Sequence, residues 1–259
     1  MKGNPDFFNR MAIALVLAFL VGNVGIASSP LSHDRGPVVV IDPGHGGKDP
    51  GTIWGKKGQK EKRVTLELAK RLKSHLEKKG RGKVVLTRNR DRSLSLSERN
   101  QIANRKECDY FISLHANSAP NRKAEGVEIY YLNRATDKAS RRLAERENRE
   151  KGKSHRVLEG IVSDLIQAAV TEESAELAAS IQKILRRQIK AKKSQVKTAL
   201  FYVLVGAQCP SLLVEAGYLS HPQESKQLGN AAYQRRFTEA LAEGILNHWK
   251  SRARVRHDL

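Results

Sequence analysis

Short apolar runs alternate along the chain with amphipathic stretches, and this alternation predicts strands followed by helices. The apolar runs are rich in β-branched residues, which indicates buried strands. They lie at 38–41, 83–87, 110–114, 126–132 and 211–214, with a strand or bend at 197–205. Apolar residues at four-residue spacing predict helices. These helices lie at 62–79, 173–188 and 231–252. The pattern predicts one three-layer α/β domain, with a mixed, mostly parallel sheet and helices on both faces.

Residues with catalytic chemistry stand where three of these strands end and one helix begins. His45, between two glycines, follows the first strand, while His115 and Glu215 each end a later strand and Glu61 precedes a helix. Two histidines and a carboxylate form a common catalytic zinc set, and a further glutamate can accept a proton from water. Each residue also has an ordinary interpretation, such as a structural histidine or a carboxylate that complements a helix dipole.

Four motifs in a fixed order carry a resemblance to a known family. They read Asp-Pro-Gly-His-Gly-Gly-Lys-Asp-Pro-Gly, Glu-Lys, Ser-Leu-His-Ala-Asn and Val-Glu-Ala-Gly-Tyr-Leu-Ser, beginning at residues 42, 61, 113 and 214. With these motifs the chain resembles the zinc-dependent N-acetylmuramoyl-L-alanine amidases, the cell-wall amidases of family 3, from about 38 to 249. The resemblance implies a phosphorylase- or hydrolase-like fold over 37–252.

The resemblance also implies a reaction and a role for each residue. The amide between N-acetylmuramic acid and L-alanine in peptidoglycan would be hydrolysed, for wall remodelling or daughter-cell separation. His45, Glu61 and His115 would hold one zinc ion, and Glu215 would act as the catalytic base. A zinc peptidase that cuts the stem peptide, or a catalytically silent wall-binding protein, remains an alternative.

Residues 134–170 interrupt the strand–helix rhythm with a dense run of charge, followed by a second helical pattern at 157–170. A charge run by itself indicates a solvated helix face. The segment also resembles an insertion of the septum-splitting amidases, whose helix covers the site and places an acidic residue on the zinc. Glu147 is the best match for that residue, with Glu145 and Glu150 as rivals. A protein activator would then act on this segment.

The termini and the charge predict where the protein works. Residues 1–27 have the basic start, apolar centre and small-residue end of a secretory signal, and a polar linker (28–36) follows. We therefore expect export, to the periplasm in the first place and to the cell wall or outside as the alternative. The net charge is +20, and loss of the leader changes it to +19. A basic tail at 253–259 ends the chain.

This excess of positive charge favours an acidic binding partner. Nucleic acid is disfavoured because aromatic residues make up only 5% of the chain, no nucleic-acid motif is present, and the leader predicts export. Anionic envelope polymers fit better.

Cys108 and Cys209 each precede a predicted strand, so that either a disulfide or two free thiols fits the sequence. His248 is expected on a polar face or end of a helix, as a structural or solvent-facing residue.

Overall fold

The computed structural model describes residues 35–55, 58–80, 82–149, 168–189, 191 and 193–255. The predicted leader, most of the linker, Glu150 and the tail beyond 255 lie outside these residues. The strands, in chain order, are β1 (Val38–Pro43), β2 (Ile53–Trp54), β3 (Gln59–Lys60), β4 (Lys83–Leu86), β5 (Tyr110–Asn117), β6 (Glu128–Leu132), β7 (Gln195–Ala199) and β8 (Ser211–Tyr218). The helices are α1 (Glu61–Lys79), α2 (Leu96–Arg105), α3 (Lys138–Glu147), α4 (Ala168–Gln188), α5 (Pro222–Leu228) and α6 (Ala231–Val255).

Six of the strands form one sheet in the order β4-β1-β5-β8-β6-β7. All neighbouring pairs are parallel except β6 with β8, which is antiparallel. The predicted mixed, mostly parallel sheet is therefore confirmed. Strands β2 and β3 form a separate antiparallel pair next to the start of α1.

Alternate residues of the central strands enter two hydrophobic clusters, one on each face of the sheet. Val39 and Ile112 belong to the cluster that contains residues of α1, α4 and α6. Val40 and Phe111 belong to the cluster that contains residues of α2 and α3. Helices thus cover both faces, as the sequence predicts, and α3 lies on the same face as α2.

Two predicted elements differ from the observed ones. The segment predicted at 197–205 contains an edge strand, β7, which begins at Gln195 and pairs with β6. Of the helix predicted at 157–170, only Ala168–Val170 are described, and they are the first turn of α4. One continuous helix therefore joins this end of the predicted insertion to the core-facing helix that follows it.

The two cysteines form a disulfide, with their Cα atoms 5.9 Å apart. Strands β5 and β8 are parallel neighbours, and Phe111 pairs with Ser211. Cys108 and Cys209 precede these strands at the same end of the sheet, which decides between the two alternatives left open by the sequence. The bridge lies at the opposite end of β5 and β8 from His115 and Glu215.

Within the described part of the chain, no helix combines the length and apolar character needed to cross a membrane.

Candidate metal centre

The carboxyl ends of β1, β5 and β8 meet at one edge of the sheet and bring the predicted residues together. His115 on β5 and Glu215 on β8 are register partners. His45 follows β1 by two residues, and Glu61 is the first residue of α1. One donor atom from each of His45, Glu61 and His115 lies within 4.8 Å of the other two. Open α/β sheets bind ligands at this edge.

Glu61 stands between the two histidines, and its carboxylate is fixed by the backbone. Its Oε1 atom accepts from the Ala116 amide at 3.0 Å and its Oε2 atom from the Thr52 amide at 2.9 Å. Oε1 also lies 3.0 Å from His45 Nε2 and 3.2 Å from His115 Nδ1. Burial opposes ionisation, but the neighbouring histidines outweigh it and hold the pKa of Glu61 well below its usual value. The carboxylate is therefore kept ionised, as a ligand must be.

Asp49 orients His45, a role that does not follow from the sequence alone. His45 Nδ1 lies 2.7 Å from Asp49 Oδ2, so the other ring nitrogen, Nε2, faces Glu61. A carboxylate on the far ring nitrogen is a frequent partner of metal-binding histidines. Burial opposes a charge on His45, but Glu61 and the Asp49 hydrogen bond raise its pKa well above 6.5. The sequence feature that could have indicated this role is an acidic residue four positions after the histidine, within the first motif.

Two glycines are needed because side chains of the centre occupy the space around them. A Cβ atom on Gly44 would lie 2.5 Å from the His115 ring. Gly51 has φ +62°, and a Cβ there would lie 2.6 Å from the His45 ring and 2.7 Å from Glu61 Oε2. Any larger residue at either position would displace one of the three side chains.

Glu215 is fully buried beside the three-residue cluster. Among the residues that the structure describes, neither of its carboxylate oxygens has a hydrogen-bond partner. Burial, reinforced by the charges of Glu61 and Glu147, raises the pKa of Glu215 well above its usual value. A buried carboxyl group with a raised pKa, whose oxygen atoms make no hydrogen bond to the described residues, suits a residue that takes up and releases a proton.

Helix α3 places Glu147 against the same cluster. Glu147 Oε2 lies 3.3 Å from His45 Nε2 and 3.4 Å from His115 Nδ1. Together with His115 and Glu215, it forms a second group of closely spaced donor atoms. Of the two rivals, Glu145 is exposed to solvent and Glu150 lies outside the described residues.

Arg146 fixes the end of α3 to the end of β5. Its Nε atom donates to Glu147 Oε1 at 2.9 Å, while its terminal nitrogens donate to Ser118 O at 2.7 Å and Asn117 Oδ1 at 3.2 Å. Two residues further on, Asn148 Nδ2 donates to Leu200 O at 2.7 Å. Leu143 and Ala144 are buried in the core. The carboxylate of Glu147 is thus held in place by both polar and apolar contacts.

His45, Glu61 and His115 fit a zinc ion by their chemistry. Two imidazole nitrogens and one carboxylate oxygen are a usual catalytic donor set. His45 Nε2 is buried and, within the described residues, makes no hydrogen bond. A metal ion is the group that such a nitrogen, placed beside an ionised carboxylate, is suited to bind. The fold and the site together define an α/β domain with a candidate metal centre at the carboxyl edge of its sheet.

Comparison with known proteins identifies the family. The model of the family described as N-acetylmuramoyl-L-alanine amidase matches residues 39–247. AmiA of Escherichia coli is 37% identical over 224 residues, which cover 82% of this chain and 76% of AmiA. AmiC of E. coli is 33% identical over 82% of this chain and only 53% of its own length. The chain therefore belongs to the N-acetylmuramoyl-L-alanine amidase family.

Solved structures agree with this assignment. An N-acetylmuramoyl-L-alanine amidase from Clostridium difficile 630 is 30% identical, with a TM-score of 0.66. The match covers 84% of this chain and 98% of the amidase. The α/β architecture described above is thus that of an amidase domain.

Proposed function

We propose that this protein is an exported, zinc-dependent amidase of peptidoglycan that cleaves the bond between N-acetylmuramic acid and L-alanine. The observation that carries the proposal is the convergence of His45, Glu61 and His115 within 4.8 Å, beside the buried carboxyl group of Glu215. Family membership supports the choice of an amide in peptidoglycan as the substrate.

His45, Glu61 and His115 would hold the zinc ion. When bound, zinc lowers the pKa of a water molecule to about 7 and polarises a carbonyl oxygen. Glu215 would accept a proton from the attacking water on one of its carboxylate oxygens. It would then donate this proton to the leaving nitrogen as the C–N bond breaks. The products are the free lactyl carboxylate of the sugar and a stem peptide with a free L-alanine amino group.

Burial of Glu215 supports both halves of this proton transfer. Its carboxylate oxygens lack hydrogen-bond partners within the described residues, so either one is available to receive a proton. Its raised pKa makes it a stronger base than an exposed glutamate, while the protonated form remains acidic enough to give the proton to an amine.

We further infer that α3 keeps the enzyme latent. Glu147 Oε2 lies within 3.4 Å of both histidines, in the space that a water molecule or a substrate carbonyl would need. Its charge would compete with the substrate for the metal. An activator that binds residues 134–170 would have to break the Arg146 contacts to Asn117 and Ser118. One similar structure, the CwlD amidase of Clostridioides difficile, was solved in complex with the GerS lipoprotein.

Export and wall attachment complete the proposal. The leader pattern at 1–27 favours the periplasm, with the cell wall or the outside as the alternative. The disulfide of Cys108 and Cys209 suits an oxidising compartment. A net charge of +19 after loss of the leader would hold the enzyme on anionic envelope polymers close to its substrate.

The test is digestion of purified peptidoglycan by residues 28–259, with product identification by mass spectrometry. Glu215→Gln keeps the size of the side chain and removes the base, so it is the matched control. We expect free stem peptides that begin with L-alanine, and we expect chelation of zinc or the Glu215→Gln change to abolish them. Cleavage at any other bond would refute the amidase assignment. An inactive preparation would be tested again with Glu147→Gln, since a latent enzyme regains activity and a wall-binding protein does not.

A further inference from the structure

The backbone carbonyls of five consecutive residues, 43–47, each accept a hydrogen bond from a side chain. This segment is called the His45 loop below. Arg88 and Arg99 supply most of the donors, with Thr65, Ser93 and Lys62 supplying the rest. A loop normally satisfies its carbonyls with backbone amides or water. Side chains from three other parts of the chain, namely α1, α2 and the segment between β4 and α2, therefore determine the path of the His45 loop.

Arg88, which follows β4, binds the first half of the loop. Its Nε atom donates to Pro43 O at 2.9 Å, and one terminal nitrogen donates to Gly44 O at 2.8 Å. The same nitrogen reaches Lys62 O at 2.9 Å, in the first turn of α1. One rigid guanidinium group thereby joins the loop that carries His45 to the helix that carries Glu61.

Arg99, from α2, binds the loop on both sides of Gly44. One terminal nitrogen donates to Pro43 O and to Asp42 Oδ1, both at 2.8 Å, and the other donates to His45 O at 2.9 Å. The carbonyl of His45 itself is thus fixed by a charged donor. Charge-assisted hydrogen bonds are shorter and stronger than neutral ones, so they resist displacement of the loop.

The loop needs this support because His45 adopts an unfavourable backbone conformation. Its φ is +59°, in the left-handed region that residues other than glycine rarely occupy. Such a residue persists only where its surroundings enforce the conformation, and this strain is common at functional sites. The result here is that His45 Nε2 comes within 3.0 Å of Glu61 Oε1.

Both arginines are expensive to bury, which argues against a role in stability alone. Their exposed fractions are 1% for Arg88 and 4% for Arg99. Asp42 forms an ion pair with Arg99, and Arg88 is bound mainly by carbonyl groups. Replacing buried ion pairs by apolar residues is often neutral or stabilising, so buried charges by themselves are weak evidence for a stability role. An arginine provides several N–H donors at fixed angles, and an apolar residue provides none.

We propose that Arg88 and Arg99 are positioning residues for the metal ligand His45, and that they act by fixing the carbonyls of the His45 loop. The proposal rests on the proposed metal role of His45, Glu61 and His115. On this proposal, replacing either arginine weakens the binding of zinc by the folded protein, beyond any effect on folding. A purely structural role would lower the stability of the metal-free protein and leave the zinc affinity of the folded protein unchanged.

The experiment is a zinc titration of the full chain against a competing chelator, paired with urea unfolding of the metal-free protein. The variants are Arg88→Lys and Arg99→Lys, which keep the charge and remove the fork of donors. Arg90→Lys is the matched control because Arg90 is exposed and two residues from Arg88. We expect the zinc dissociation constant to rise about 10- to 100-fold in the two test variants, the usual effect of losing an outer-shell partner, and to stay within twofold in the control.

A milder variant keeps the test decisive if a buried arginine change prevents folding. Thr65→Val retains the shape of the side chain and removes the hydroxyl that donates to Gly44 O at 2.9 Å. We expect a severalfold weaker zinc affinity. If the folded variants at 65, 88 and 99 bind zinc within twofold of the unaltered protein, the positioning role is refuted.

His45→Ala separates this failure from failure of the proposed function. If His45→Ala binds zinc as tightly as the unaltered protein, the metal role of His45 is wrong, and the positioning role falls with it. If His45→Ala loses zinc while the arginine variants do not, the metal centre stands and only the positioning role is overturned.

Discussion

Glu147→Gln should convert a latent enzyme into an active one. The substitution keeps the side-chain size and removes the charge that lies 3.3 Å from His45 Nε2 and 3.4 Å from His115 Nδ1. Leu143 and Ala144 remain buried, so α3 itself should still form. The substitution should lower the free-energy difference that favours the covered state, in which the end of α3 lies over the centre, relative to an open state.

The size of the effect follows from the contacts that are lost. Glu147 Oε2 makes charged contacts with His45 Nε2 at 3.3 Å and His115 Nδ1 at 3.4 Å, and through these contacts its carboxylate joins α3 to the centre. A hydrogen bond to a charged group contributes about 1.5–3 kcal/mol. Loss of one such interaction shifts the equilibrium between the covered and open states about 10- to 150-fold. We therefore expect the basal rate of peptidoglycan hydrolysis to rise at least about tenfold.

The assay measures release of soluble stem peptides from purified peptidoglycan by the full-length and variant proteins. Glu145→Gln is the control, since Glu145 lies on the same helix and is exposed. Chelation should abolish the activity of every protein in the series. A Glu147→Gln rate within twofold of the unaltered protein, with equal zinc content in both, would show that this carboxylate does not close the site.

Three further predictions concern stability and attachment. Replacing Cys108 and Cys209 together by alanine removes a disulfide that spans 101 residues. We expect the free energy of unfolding, measured by urea denaturation, to fall by about 2–5 kcal/mol. A reducing agent should destabilise the unaltered protein by the same amount and should not affect the double variant. Burial, with a smaller effect of the Arg252 charge, lowers the pKa of His248 to about 4. Below about pH 6.5 the unfolded chain therefore binds a proton at His248 that the folded protein does not bind. Stability should therefore fall by about 1–2 kcal/mol between pH 7 and pH 5, and His248→Gln should remove this part of the loss. Binding to isolated anionic wall polymer should weaken steeply between 50 mM and 500 mM salt, and equal binding at both would contradict electrostatic attachment.

His248 illustrates a choice that the sequence left open, between a structural and a solvent-facing histidine, and that the tertiary structure decides. The helical pattern placed it on a polar face, but its exposed fraction is only 4% and its Nδ1 atom lies 2.7 Å from the Tyr110 hydroxyl. Tyr110 begins β5, and α6 packs across the start of that strand. A helix pattern indicates which residues share a face, but it does not show whether the polar face meets solvent or another polar group.

The six strands of the main sheet and the longest helices were readable from the sequence alone, whereas β2, β3 and α5 were not predicted. Short β-branched runs favour buried strands, and four-residue spacing favours helices with one apolar side, because these periods follow from backbone geometry. The capping box of Ser95 and Glu98 at the start of α2 is local in the same sense. Since parallel strands present their carboxyl ends at one edge, the convergence of His45, His115 and Glu215 was also within reach.

Contacts between distant segments were decided only by the tertiary structure. The choice between Glu147 and Glu145 depends on how α3 docks against β5, which no local pattern encodes. The pairing of Cys108 with Cys209 depends on β5 and β8 being neighbours. Arg88 and Arg99 bind Pro43 O from 45 and 56 positions further along the chain. A basic residue in a sequence gives no sign of whether its guanidinium group meets water or the carbonyls of a distant loop.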